Sequence, residues 1–274
     1  MSDTDTMLQA RYGDDNALLN GPHSAIIDAL LAHRSVRAYA DKPLPDGLLD
    51  TLMAAAQSAS TSSNMQVWSV VAVQDAGRKA RLAELAGGQA HVAKAPLLLI
   101  FLADLSRLRR IGDARQAATP GLDYLEGFVL GAVDAALAAQ NCVVALESLG
   151  MGSCYIGGMR NKPEDVAAEL GLPPECFAVF GLTIGYPDPK REAAIRPRLK
   201  AQAILHRERY EIPADAEQQL VTEYDAALGR FQDSQGMPSI DWSRQMMRRV
   251  GSPEALTGRH RLREALSNLG FKLT

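Results

Sequence analysis

Cysteine is scarce in this chain of 274 residues, and the few present are poorly placed for shared chemistry. Cys142, Cys154 and Cys176 are odd in number, far apart and without a Cys-x-x-Cys pair, so neither a disulfide framework nor a metal-thiolate site is signalled. The 5 histidines show no His-Glu-x-x-His or comparable spacing, and no metal is expected. A basic excess is missing as well. With 29 Lys and Arg against 32 Asp and Glu, the formal net charge is −3, which speaks against a nucleic-acid binder. The arginines at 107–110 and 244–249 are local, and read as solvated helix faces or interface partners. A dinucleotide fingerprint is lacking, because Gly150-Met151-Gly152 follows a helical pattern and precedes a strand, the reverse of the required order. There is no Gly-x-Ser-x-Gly elbow, no P-loop and no internal repeat. Met1-Ser2-Asp3-Thr4-Asp5 is acidic and carries no apolar stretch, so a signal peptide is not expected, and these features together fit a reducing cytoplasm.

What is present is a chain long enough to bury a core in one large domain or two small ones. The pattern predicts helices over 24–31, 47–58, 78–86 and 163–170 and strands over 67–73, 95–103, 153–156 and 177–184. Residues 105–120 read as a helix end and a surface loop. From residue 213 the chain reads as helix, a loop at 235–238, and helix again. Residues 1–22 read as a mobile arm, or one laid across a partner subunit. The division expected is arm 1–22, core 23–210 and helical extension 211–274. Tyr124 to Leu149 is the longest regular element and is apolar all round, which marks a buried helix, and its small residues let another helix approach closely, as at a dimer seam. A membrane span is the competing reading, but Asp134, Gln140 and Asn141 fall through its middle, so no membrane partner is expected.

Two polar segments carry the chemistry. His33-Arg34-Ser35-Val36-Arg37 packs cations and a hydroxyl into five residues. Cations there cap the preceding helix favourably. In an extended chain, however, His33, Ser35 and Arg37 point the same way, toward a phosphate that charge-assisted donors can hold. Ser60-Thr61-Ser62-Ser63-Asn64-Met65-Gln66 runs into an apolar strand, and reads either as a plain loop or as partners for a polar heterocycle. Gly157-Gly158 after a strand is a turn, or a place where backbone approaches a flat ring. Arg196-Pro197-Arg198 is exposed loop charge, or a second phosphate contact held stiff by proline.

HRSVRAY, SxxTSSNMQxWSVVAV, SLGMGSCYIGGMRN and RPRL, in that order over about Ser24 to Tyr210, resemble the nitroreductase superfamily, and within it the group A oxygen-insensitive nitroreductases and flavin reductases. The resemblance implies an α+β fold, a small, mostly antiparallel sheet surrounded by helices, in an intertwined homodimer with FMN at the interface. It implies FMN contacts from His33, Arg34, Ser35, Arg37, Ser62, Asn64, Gln66, Gln89, Tyr155, Ile156, Gly157, Gly158, Arg196 and Arg198. Arg196 stands where the family usually has lysine, which keeps charge but changes geometry.

The implied reaction is ping-pong. NADH or NADPH gives a hydride to flavin N5, and a small-molecule acceptor (a nitroaromatic, a quinone or free flavin) takes the electrons. The flavin carries the chemistry, so no catalytic acid, base or nucleophile is expected. Group A relatives grip the NADPH 2′-phosphate with a basic loop. Here residues 230–242 offer Arg230 alone beside Asp233 and Asp241, so NADH is expected to serve comparably, unless Arg107, Arg109 or Arg110 substitutes. Alternatives remain: a flavin reductase supplying free reduced flavin, a flavin-binding protein without turnover, or a helical interaction protein with no cofactor.

Overall fold

Eight consecutive residues, Leu97 to Asp104, are all buried, and they form the strand around which the fold is built. The computed structural model describes residues 3–13 and 21–274. The chain begins with α1 (Asp3–Tyr12), α2 (Ala25–Leu31) and α3 (Leu48–Gln57). Then come β1 (Trp68–Val73), α4 (Ala76–Leu85), α5 (Ala90–Lys94), β2 (Leu97–Asp104), α6 (Ser106–Ala114) and α7 (Leu125–Ser148). β3 (Gly152–Ile156), α8 (Pro163–Leu170) and β4 (Cys176–Gly185) follow, and α9 (Ala214–Ser234), α10 (Trp242–Val250) and α11 (Leu262–Asn268) close the described chain.

Two units are distinguished. One comprises Ser35–Glu192 with Thr257–Thr274, the other Met1–Arg34 with Ala193–Leu256. The first holds the sheet, ordered β1-β2-β4-β3 with antiparallel neighbours throughout. β2 is central, which is why it reads as a continuous apolar run rather than an alternating one. On one face α3 and α7 pack Leu52, Ala135, Ala139 and Leu146 against Leu97, Leu99 and Phe101. On the other, α4 and α8 pack Leu82 and Val166 against Leu98, Ile100 and Met159. Each fully buried leucine contributes roughly 1.5–3 kcal/mol relative to exposure. α11 and the C-terminal residues return to this unit, where Phe128 meets Phe177 and Phe271 edge-on at 5.5 and 5.6 Å.

Three expectations are corrected. Residues 106–114 form a full helix, α6, whose Arg109 binds Glu175 at 2.7 and 2.8 Å as well as Asp123 and Thr119. That guanidinium is committed to holding the fold, which removes it as a stand-in for a basic nucleotide loop. Helix α7 is long and apolar enough to cross a membrane by composition. It is instead a core helix with one face on the sheet, but it is not buried all round: Leu125, Val129, Val133 and Leu137 are 52%, 43%, 49% and 44% exposed. Finally, Asp3–Tyr12 is a helix laid on α2 of the same chain, with Leu8 and Arg11 buried. The remainder of the expected arm, residues 1–2 and 14–20, lies outside the described residues.

Candidate functional site

The segment after α2 is extended, and the alternation expected of it is observed: Ser35 and Arg37 are exposed while Val36 is buried. Ser35 bridges Ser153 of β3 in parallel, and the Val36 N–H donates to Ser153 O at 2.8 Å. Gly152 makes room for this, because a Cβ there would lie 2.4 Å from Val36 Cγ2. Gly158 does the same at the far end of β3. A Cβ on it would lie 2.5 Å from Ala86 O and 2.7 Å from Gln89 Nε2. The glycine therefore lets the Gln89 carboxamide, which donates to Ala86 O at 2.8 Å, rest against the turn at Gly157–Arg160. Tyr155 and Ile156 diverge. Ile156 is buried among the α4/α8-side residues and can offer only its main chain, whereas Tyr155 lies edge-on to Phe180 at 5.1 Å and is 37% exposed.

Two buried polar atoms at this end have no hydrogen-bond partner among the described residues, Ser153 Oγ and His91 Nε2. Burial and the positive charge of Arg37 both hold the His91 pKa below its usual value. Unsatisfied buried groups are costly and call for an explanation. A polar, anionic ligand carried past Ser35, Arg37 and Gln89 supplies one, so the donor set fits the flavin nucleotide that the resemblance implies. His91 was not identified from sequence, since a lone histidine in a short helix gives no pattern. Arg160 and Arg259, whose guanidiniums approach the Gly157 Cβ position at 3.3 and 3.7 Å, were not singled out either, although Arg160 lies within one of the four motifs.

The serine cluster is organised by one residue. Asp134, in the middle of α7 and 1% exposed, accepts from Thr61 Oγ1 at 2.6 Å, Ser62 N at 3.1 Å and Val67 N at 3.3 Å. This holds Ser63, Asn64 and Gln66 at φ of 48°, 54° and 51°, a left-handed conformation that non-glycine residues seldom adopt. Ser62, Asn64 and Gln66 are thereby turned outward, and Asn64 and Gln66 line an open cavity of about 640 Å³ with Trp68 and Arg107. Arg107 donates to Gln66 O at 2.7 Å and Ser69 Oγ at 2.8 Å, so it braces the loop. The charge that interrupts the apolar helix was the available signal for Asp134.

The two clusters do not converge within one chain. Trp68, just after Gln66, pairs with Ala103, which pairs with Phe177 at the start of β4. Ser153, beside Ser35, pairs with Ile184 at the end of β4. The clusters therefore occupy opposite corners of the sheet, roughly 24 Å apart along β4 at about 3.4 Å per residue, and several strands apart across it.

In the other unit, His33 and Arg34 follow α2 and are half-buried, and Arg196 and Arg198 are exposed. Arg196 lies over the Phe231 ring at 5.6 Å, and the Tyr224 hydroxyl donates to Pro197 O at 3.1 Å. Arg198 and Arg230 line one cavity of about 540 Å³ with Tyr12, Lys200, Tyr224 and Phe231. Of the two aspartates beyond Arg230, Asp241 pairs with Arg244 at 3.2 Å.

With this geometry established, similarity to known proteins is extensive. The model of the nitroreductase family matches residues 30–186, and that of the nitroreductase family C-terminal domain matches 196–274. A curated FMN reductase (NADPH) from Bacillus subtilis (strain 168) is 36% identical over 224 residues, which is 81% of this chain and 89% of that protein. An NADPH-flavin oxidoreductase from Vibrio harveyi is 40% identical over 185 residues, covering 68% of this chain and 74% of the relative. Among solved structures, B. megaterium NfrA2 superposes with a TM-score of 0.85 at 35% identity, covering 92% of this chain and 100% of that one.

Proposed function

The chain belongs to the nitroreductase family and is an FMN-dependent NAD(P)H oxidoreductase, and we propose on that footing which of its residues serve the cofactor and how two chains share it. When bound, FMN supplies the redox chemistry, a hydride taken from NAD(P)H and handed to an oxidised acceptor. The protein's part is binding, orientation and exclusion of water. Ser35 and Arg37 present a hydroxyl and a guanidinium from one side of an extended segment, the geometry suited to a phosphate. Within the other unit, His33, Arg34, Arg196 and Arg198 offer cationic and hydrogen-bonding donors suited to the FMN phosphate. The main chain of Tyr155 to Gly158 and the carboxamide of Gln89 serve the ring, which glycine lets approach closely.

Ser62, Asn64 and Gln66 serve the ring held by a second copy, since their corner of the sheet is remote from Ser35 in their own chain. The exposed stripe Leu125, Val129, Val133 and Leu137 of α7 gives that second copy an apolar seat, in a homodimer. No side chain is assigned as acid, base or nucleophile. Donor and acceptor use one pocket in turn, and nitroaromatics, quinones or free flavin are the acceptors. We take the cytoplasm as the compartment, a reading that rests on the three separated cysteines, Cys142, Cys154 and Cys176.

The observation that carries this reading is the pair of unsatisfied buried atoms, Ser153 Oγ and His91 Nε2, beside Ser35 and Arg37. An anaerobic titration tests it. NADH and NADPH should each bleach the yellow protein, and a quinone or nitroaromatic should restore the colour. Colour that persists with both nucleotides would leave only a flavin carrier. Because residues 230–242 offer Arg230 alone as a cation, beside Asp233 and Asp241, kcat/KM for NADPH should exceed that for NADH by less than about a hundredfold, or 2.7 kcal/mol. A larger preference would require a 2′-phosphate site elsewhere.

A further inference from the structure

Helix α1 lies outside both ranges matched by the family, which begin at residues 30 and 196. Its Arg11 is 6% exposed, an unusual place for a guanidinium unless it is fully engaged. Arg11 Nη2 donates to Leu31 O at 2.8 Å and to His33 O at 2.9 Å, and Nη1 reaches Arg196 O at 3.5 Å. The main chain returns the contact, since the Arg198 N–H donates to Arg11 O at 2.8 Å. One residue thus touches the main chain at both segments that the proposed function assigns to the FMN phosphate, and these are distant in sequence. With Tyr224 holding Pro197 O, the main chain of Arg196, Pro197 and Arg198 is fixed at each residue.

We propose that Arg11 is a positioning residue for FMN binding. Its planar fork ties the end of α2 to the Arg196–Arg198 segment, so that the side chains borne there are preset for a phosphate rather than ordered when it arrives. Preorganisation of this kind raises affinity by lowering the ordering cost of binding. The effect is expected at the phosphate, because the contacts that Arg11 makes to Leu31, His33 and Arg196 are all to main-chain carbonyls of the phosphate-bearing segments. Lysine replaces it poorly, since a single ammonium cannot reproduce the fork. The inference rests on the phosphate assignment above, and the experiment separates the two.

Dissociation constants for FMN and for riboflavin, which lacks the phosphate, are measured by flavin fluorescence for the parent, Arg11→Ala, Arg11→Lys and Arg198→Ala. The expected result is that the preference for FMN over riboflavin falls about tenfold in Arg11→Ala, equivalent to about 1.4 kcal/mol. It should fall less in Arg11→Lys, with riboflavin affinity unchanged in both. General loosening of the fold would weaken both ligands equally and overturn the proposal. An unchanged preference in Arg11→Ala, or in Arg11→Lys should the alanine variant not fold, also overturns it, provided Arg198→Ala loses preference. If Arg198→Ala keeps its preference too, the phosphate assignment itself fails and the role of Arg11 fails with it.

Discussion

Two residues outside the recognised motifs do much to set the site, and each yields a prediction. Asp134 accepts three hydrogen bonds from a loop whose backbone is otherwise unfavourable at Ser63, Asn64 and Gln66. An amide of the same shape has one donor end, and in Asp134→Asn that end must face at least one N–H or the Thr61 hydroxyl. Losing one bond to a buried charge should cost roughly 1.5–3 kcal/mol, readable by urea unfolding. A change below about 0.5 kcal/mol, the level of an ordinary surface substitution, would mean that the loop holds itself. His91 makes a prediction about acid. Its folded pKa lies below the usual value because of burial and, secondarily, Arg37. The unfolded chain therefore takes up the proton first, and stability present above about pH 6.5 is lost as pH falls from there toward the lower folded value. His91→Gln should flatten the decline in unfolding free energy between pH 7.5 and 5.5. An identical decline in the variant would assign it to other groups.

At the scale of elements, the strands were readable because β2 is buried on both faces and reads as an uninterrupted apolar run. Helix α8 was readable because Pro163 starts it and Gly171, at φ 64°, ends it. Helix α6 was hidden by charge. The charged stretch 105–120 read as a helix end and a surface loop, and the use of its arginines in holding Gln66, Glu175 and Asp123 depends on partners that local sequence does not reveal. Helix α7 was legible in its length and in its surplus of apolar surface, but not in which of its faces lies on the sheet, since composition does not distinguish the faces. Its exposed residues, Leu125, Val129, Val133 and Leu137, recur every four positions and form one stripe. Val133→Arg places a charge in that stripe without touching the buried face. Sedimentation velocity should then show the 29.5 kDa protomer for the variant and a dimer for the parent. A variant that remains fully dimeric would move the interface off α7.

For the whole molecule, the motif list concealed a spatial split. Ser35 and Arg37 stand beside β3, while Ser62, Asn64 and Gln66 precede β1, and the strand order β1-β2-β4-β3 holds these at opposite corners. Sequence order cannot reveal this, because a motif records which residues occur and not where the strand order places them. The consequence is testable by mixing. Arg37→Ala should impair a site through the protomer that holds the phosphate, and Gln66→Ala through the protomer that reaches the ring. If each site takes one set from each chain, a two-fold dimer of one variant with the other contains one doubly altered site and one intact site. Dissociating the two variants together and letting them reassociate at random should make half the dimers mixed, restoring about a quarter of all sites to parental FMN affinity. Were both sets to serve the same flavin from one chain, every site in the mixture would carry one substitution, and no parental class would appear in the titration. The mixing experiment therefore distinguishes a shared site from a self-contained one without depending on which electron acceptor the enzyme uses.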